Sequence, residues 1–249
     1  MTPFFSFAPT PWRGVELLDD PSTDAALSLR ALEDVAAANR WFGGTRAVLA
    51  ELRPLLREAK ARDESLQPLK PLKPLKPLTL LDLGSGAGDV LVAARQLATR
   101  MGVRLDTIGL ERTFPLAHAG RGACGLSLAA DALTLPFANG AVDIVMCSQV
   151  LHHFAEDEAR QLLREMHRVA RRAVIISDLR RSWGALGGVW LGSFLLGFHP
   201  VSRHDGVVSV RRGFRSAELA SLAERAVGVR PAVHDRLGFR VTTRWSTVP

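Results

Sequence analysis

Three glycines at alternate positions, Gly84, Gly86 and Gly88, interrupt the run LLDLGSGAGDV between Leu80 and Val90, and Asp82 stands two positions before the first of them. Further along, Glu111 and Asp131 each close an apolar run, the adjacent His152 and His153 follow a third, and Asp178 ends a fourth. A turn built from such glycines lets backbone amides come close to a ligand, because no Cβ stands in the way. A helix starting directly behind it favours polar or anionic groups. A carboxylate at a strand end accepts two hydrogen bonds at once. An imidazole held by a carboxylate makes a proton acceptor near neutral pH, so one of the two histidines could pair with Asp178 as an oriented base. His204, next to Asp205 in SRHDG, is a second candidate base on what reads as a loop.

The elements that would position these residues follow from apolar periodicity. Thr79–Leu83 reads as a buried strand, and Val90, Ala94, Leu97 and Met101 recur at helical spacing until Gly102 ends the run. Strands are expected at 105–111, 126–131, 142–148 and 173–178, with a charge-ordered helix over 157–170. Ser216 is expected to cap a helix ending at Gly228, and 232–237 with 239–245 to form a closing hairpin. Alternating strands and helices imply an α/β fold with a doubly wound, mostly parallel sheet and an antiparallel strand at its end.

Three segments follow. Residues 1–67 hold an arm and two amphipathic helices. The first is capped within Ser22-Thr23-Asp24, faces inward with Leu29, Leu32, Val35 and a packing Trp41, and stops at Gly43-Gly44; the second should kink at Pro54. Residues 68–78 are a Pro-Leu-Lys tandem repeat, expected to form a solvated polyproline II linker. Residues 79–249 form the core, with an insert at about 182–213 whose first part, Ser182–Phe198, carries no charged residue. Arg180, Arg181, Arg203, Arg211, Arg212 and Arg215 surround that insert.

Apolar residues make up 47% and charged residues 23% of 249, the balance of a water-soluble globular chain with a substantial core. The net charge of +7 permits attraction to nucleic acid or to an anionic membrane, although an arginine-rich surface needs no partner. The opening residues show no basic stretch followed by a long apolar core, so no secretory leader is expected. Cys124 and Cys147 have no metal-ligand spacing and read as free thiols of a reducing cytoplasm. With no tyrosine in the chain, no protein phenol can serve as acid or base.

The G-x-G-x-G spacing, with its acid two positions upstream, resembles motif I of the class I S-adenosylmethionine (SAM)-dependent methyltransferases. The run DALTLPFANGAVDIVMCSQVLHHF is similar to the motif block of the type 11 group, which includes ubiquinone and menaquinone C-methyltransferases. The resemblance implies a Rossmann-like, seven-stranded sheet under an N-terminal helical lid, from which Asn39, Arg40 and Trp41 could face the pocket, although packing is the favoured reading for Trp41. It implies SAM as cofactor, released as S-adenosylhomocysteine, with no metal. By the same resemblance Asp82, Gly84, Ser85, Gly86 and Gly88 serve the turn and the methionine end, with Asp89 nearby. Glu111, followed by Arg112, takes the ribose; Asp131, followed by Ala132, takes the adenine amino group; Ser148 meets the methionine moiety through its backbone.

For the acceptor, Ser148-Gln149-Val150-Leu151 stands where nucleic-acid amino methyltransferases carry a [D/N/S]-P-P-[Y/F/W] block, and neither cysteine follows a proline. Nucleic acid is therefore not expected. An apolar cap with a basic rim suits a hydrophobic small molecule with a polar or acidic head, and it would equally suit shallow docking on an anionic membrane. The blocks DLRRSWGALGG and SRHDGVVSVRRGF resemble a bacterial type 11 group associated with polyketide or phenolic-lipid biosynthesis. The expected activity is O-methylation of a phenol, quinol or polyketide, with His153, His152, Asp178 or His204 in the proton step. C-methylation in quinone biosynthesis and a non-catalytic, regulatory SAM-binding protein are the alternatives, and nothing in the sequence sets an oligomeric state.

Overall fold

The computed structural model describes residues 8–19, 23–66 and 76–247. The linker expected over 68–78 lies outside the described residues up to position 75.

Seven strands form a single sheet in the order β3-β2-β1-β4-β5-β7-β6. β1 (Leu78–Leu83), β2 (Leu105–Glu111), β3 (Leu126–Ala129), β4 (Val142–Ser148) and β5 (Ala170–Leu179) run parallel. β7 (Arg240–Ser246) is antiparallel to β5, and β6 (Val233–Arg236) is antiparallel to β7. The order reverses between β1 and β4, which places the ligand-binding crevice of such a sheet at the carboxyl ends of those two strands. β4 is buried from Val142 to Cys147, as a strand covered on both faces must be. β3 stops two residues earlier than expected, because the Ala130 amide donates to the Glu111 carbonyl and the chain then turns.

One sheet face is covered by α5 (Glu156–Val169) and α8 (Ser216–Val227), the other by α2 (Gly44–Leu66), α3 (Asp89–Arg100) and α4 (Phe114–Cys124). α5 carries Glu156, Asp157 and Glu158 in its first turn and His167 and Arg168 in its last, each set opposite in sign to the helix-dipole end it occupies. Its inward stripe of Ala159, Leu162, Leu163, Met166 and Val169 is fully buried. α8 begins differently from the expectation. Arg215 occupies the cap position, its amide bound by Glu218, and Ser216 instead donates to Asp235 at 2.6 Å. α2 passes through Pro54 without a break, since Val48, Leu52, Leu56 and Ala59 fasten it to the core on both sides of the proline.

The N-terminal helix α1 (Ala25–Trp41) is capped by Asp24, whose Oδ1 accepts from the Ala26 and Leu27 amides. Its inward face departs from the apolar reading. Leu29 and Val35 are exposed, and Trp41, expected to pack, is 64% exposed. The buried positions are Ala31, Asp34 and Asn39, because this helix lies over a polar crevice rather than over the apolar core. The insert folds as two helices, α6 (Trp183–Leu195) and α7 (Pro200–Arg212). SRHDG is thus helical rather than a loop. Asp34 ties lid to insert by accepting from the His199 amide at 2.9 Å. Buried Arg181 ties the N-terminal arm to the core, donating to the Pro9 carbonyl at 3.1 Å and to the Gly213 carbonyl at 2.6 Å. Among the described residues no helix is long and apolar enough to cross a membrane.

Candidate active site

The glycine turn is fixed to its neighbour strand by Gly84 and Ser85, whose amides donate to the Leu110 carbonyl. Gly84, Gly86 and Gly88 have φ of +69°, +54° and +75°, a region that side chains avoid. A Cβ at Gly84 would collide with Val150, and one at Gly88 would lie 2.7 Å from the Ala123 Cβ. Gly86 is the open one: its Cβ would meet Leu32 of the lid at 3.5 Å and nothing nearer, so its missing side chain leaves room beneath α1.

Three carboxylates surround that room. Glu111, at the end of β2, accepts from the Gly86 amide at 2.5 Å. Asp89, at the start of α3, accepts from Asn39 Nδ2 at 3.2 Å, and Asn39 Oδ1 accepts from Gln149 Nε2 at 2.5 Å, which ties the lid to turn and β4 together. Asp82 is buried with its Oδ1 unpartnered. Burial first, then the neighbouring charges of Glu111 and Asp89, push the Asp82 carboxyl well above the usual range. Burial also raises Asp89 and Glu111, against the lowering effect of their hydrogen bonds. Among the described residues none of the three sits in an ion pair. A buried acid cluster of this kind is stabilised by a cation.

Gln149 holds φ of +58°, rare for a side-chain-bearing residue. Its amide donates to the Ser177 carbonyl at 2.8 Å. Beyond it the sheet edge carries further unpaired polar atoms. Ser148 pairs in register with Ser177 and Ser177 with Thr242, and Arg240 lies two positions from Thr242, so all face the same side of the sheet. Ser148 Oγ, Ser177 Oγ and Arg240 Nε and Nη1 are buried without a partner. Burial lowers the Arg240 guanidinium to about 10, and Asp178 partly offsets that. Ser85 is buried, within 3.7 Å of the Cys124 thiol; Arg112 is exposed. Asp131 is exposed with its Oδ1 on the Leu133 amide, and Ala132 is half-buried behind it.

A second cluster lies just after β4. His152 is buried in a 3-10 turn; its Nδ1 is 2.6 Å from Asp178 Oδ1, and its amide donates to Asp178 Oδ2. Burial would raise the Asp178 carboxyl, yet the charge and hydrogen bond of His152 and the Leu179 amide hold it below the usual range. Glu16, from the N-terminal arm, completes the cluster. It is buried, 3.7 Å from His152 Nε2 through one oxygen and 3.6 Å from His153 Nδ1 through the other. Ser209 and Arg212 of α7 also hold Glu16. His204 does not join this group. It is half-exposed on α7 and pairs with Asp205 at 2.9 Å, while Asp205 binds the Leu17 and Leu18 amides.

Sequence reasoning missed Glu16, Gln149 and Arg240, and it took Asp205 only as the neighbour of the candidate base His204. A lone acid in PWRGVELLDD carries no periodic signal, and its role appears only when α7 folds against the arm. Gln149 was open to suspicion as the one amide in SQVLHHF, but its backbone angle has no sequence signature.

Residues 81–176 match the family model described as a methyltransferase domain, Methyltransf_11. No curated protein matches the chain. Among solved structures, a protein of Pyrococcus horikoshii OT3 superposes with TM-score 0.50 at 19% identity, covering 76% of this chain and 91% of that one. A SAM-dependent methyltransferase from Aquifex aeolicus gives TM-score 0.49 at 18% identity, over 70% and 85% of the two chains. The magnesium protoporphyrin IX methyltransferase of Synechocystis PCC 6803, with bound S-adenosylhomocysteine, gives 0.45 at 14%, over 81% and 85%. At such identities the structural likeness speaks for the fold alone.

Proposed function

Residues 81–176 belong to the type 11 methyltransferase domain family, and from that premise we propose that the chain uses SAM to methylate an oxygen of a hydrophobic small molecule of phenolic, quinol or polyketide type. One observation carries the reading: at a single sheet edge, a glycine turn ringed by the buried acids Asp82 and Glu111 and the half-buried Asp89 lies beside a buried histidine–carboxylate cluster.

The residues present fit SAM. Its sulfonium and ammonium groups are cationic, and the turn offers two buried carboxylates and a half-buried one, with no ion pair among the described residues. Gly86 leaves room under the lid, and Asp82 Oδ1 awaits a donor. Asp82 and the 84–88 turn, with Ser85, would hold the methionine end. Glu111 would leave the Gly86 amide for the ribose hydroxyls, and Asp131 with Ala132 would border the adenine. When bound, SAM supplies an electrophilic methyl on sulfur. The chain's own work is then alignment and proton handling. Asn39 and Gln149 hold the lid helix over the turn, which excludes water and restricts the approach to an in-line one. A hydroxyl acceptor must lose its proton, and we assign that step to the Asp178–His152–Glu16–His153 cluster, in which His153 reaches solvent.

Two features support a hydrophobic acceptor. An open groove of about 580 Å³ lies between residues 8–10 and helices α6 and α7, lined by Trp183, Leu186, Trp190 and Val207, with Arg211 at its edge. The exposed Trp190, Leu191, Phe194 and Leu195 of α6 fit peripheral contact with an anionic membrane. Cys124 and Cys147, buried and unpaired, fit a reducing cytoplasm.

Calorimetric titration with SAM tests the reading. One SAM per chain is expected. Glu111→Ala should weaken it about 100-fold, since it removes two charge-assisted hydrogen bonds of about 1.5 kcal/mol or more each. No SAM binding by the wild-type chain would overturn the proposal.

A further inference from the structure

We propose that Glu16, His152 and His153 form a binding site for a divalent transition-metal ion of the zinc class, placed where the acceptor's oxygen is handled. One nitrogen from each ring and a Glu16 oxygen lie within 4.8 Å of one another. Ligand atoms at about 2.1 Å from a tetrahedral ion stand about 3.4 Å apart. The observed separations are 3.7 Å from His152 Nε2 to Glu16 Oε1 and 3.6 Å from His153 Nδ1 to Glu16 Oε2, so a carboxylate that meets the ion through both oxygens, or turns to present one, reaches that geometry with side-chain shifts.

The state of His152 is the stronger reason. Its Nδ1 is taken by Asp178, and its Nε2 is buried without a hydrogen-bond partner, facing a carboxylate oxygen. An imidazole that donates from Nδ1 to a carboxylate presents a lone pair at Nε2. The lone pair then faces Glu16 Oε1, which already accepts from Ser209 and Arg212, so a cation between ring and carboxylate would take over part of the role of Arg212. A carboxylate behind a histidine is also the recurring outer shell of metal-bound imidazole, fixing its tautomer and raising its basicity.

Glu16 is held for the same task. Asp205 binds the next two amides, Leu17 and Leu18, and so fixes the backbone beside it. Ser209 and Arg212 occupy Oε1, leaving Oε2 towards His153. The Arg212 charge opposes a cation, so the site should be weaker than a closed structural zinc centre. Two imidazoles and one carboxylate suit zinc, cobalt or ferrous iron, whereas magnesium and calcium take oxygen ligands. Three protein ligands leave a coordination position open. His153, with its side chain 32% exposed, marks the side from which an acceptor hydroxyl would reach that position, and binding there eases loss of its proton.

The inference rests on the methyl-transfer reading only for what the ion serves; ion binding is measured without turnover. Tag-free, chelator-treated full-length protein is titrated with Zn²⁺ and, separately, with SAM, and a Co²⁺-loaded sample is examined by visible absorption. The expected results are one Zn²⁺ per chain, visible Co²⁺ bands of a four- or five-coordinate site, and Zn²⁺ affinity at least about tenfold weaker in Glu16→Gln and His153→Ala. Both variants should keep SAM affinity within about twofold of the wild type, which shows that they are folded. No stoichiometric Zn²⁺ binding, no Co²⁺ bands, or unchanged Zn²⁺ affinity in both variants would overturn the metal site and leave the cofactor reading intact. Zn²⁺ binding without SAM binding would do the reverse.

Discussion

Asp82, Asp89 and Glu111 all hold their protons more tightly than free carboxyls, in each case chiefly through burial. Asp178, fully buried, is pulled the other way by His152. The two sets therefore respond to pH with opposite signs. A carboxyl raised in the folded chain favours the fold while protonated, and that contribution fades as pH rises from the ordinary carboxylate value towards the raised one. The Asp178 contribution is complete above the ordinary carboxylate range and is lost as pH falls through its lowered folded value. A bound cation draws Asp82 and its neighbours back to ionisation. SAM binding should therefore release protons within the window between the ordinary and raised values, and affinity should climb with pH across it. Calorimetry in two buffers of different ionisation enthalpy measures the release. Identical enthalpies in both buffers throughout that window would contradict the electrostatic account of the turn.

At the scale of elements, the strands were legible because a strand buried on both faces reads as a continuous apolar run. The limits expected for β2 and β4 are those observed. The lid was legible as a helix, and Asn39 as a residue that could face the crevice, but the lid's apolar positions were not. Apolar spacing put Leu29, Val35 and Trp41 inward, whereas Asp34 and Asn39 are the buried residues, because the surface below α1 is polar and rewards hydrogen bonds over apolar contact. The glycine turn and the acids at the ends of β1 and β2 were readable from local spacing, and the Glu16 half of the histidine cluster was not, since it depends on the long-range pairing of arm and α7. That pairing has a measurable hinge. Asp205 accepts from two arm amides at 2.9 and 3.0 Å, so Asp205→Ala leaves both without an acceptor, at a cost of about 1–3 kcal/mol each. Hydrogen exchange should rise at Leu17 and Leu18 while β1, β4 and β5 stay protected. Unchanged exchange in the arm would mean that other contacts, such as Arg181 to the Pro9 carbonyl, hold it alone.

The whole molecule gathers its chemistry on one edge of the sheet and caps that edge with elements that are poorly buried themselves. α6 leaves Trp183, Trp190, Leu191, Phe194 and Leu195 at least half exposed, although it is flanked by cationic side chains. Arg203 stacks over the Phe194 ring at 4.3 Å and Arg211 over Trp12 at 4.9 Å, so the guanidinium groups lie against the apolar surface rather than in distant solvent. With a net charge of +7, the chain would be drawn to an anionic surface and then held there by aromatic side chains at headgroup depth. α6 is too short to cross, which makes contact shallow and reversible. The protein should sediment with vesicles containing phosphatidylglycerol, remain in the supernatant with pure phosphatidylcholine, and detach on adding about 0.5 M salt, where the screening length falls to about 4 Å. Trp190→Ser with Leu195→Ser should weaken the association several-fold without changing SAM affinity, because both side chains are more than half exposed on α6. Equal sedimentation with both lipids, or none with either, would leave the groove beside α6 as the reason for its apolar character and would place the acceptor in water rather than in a bilayer.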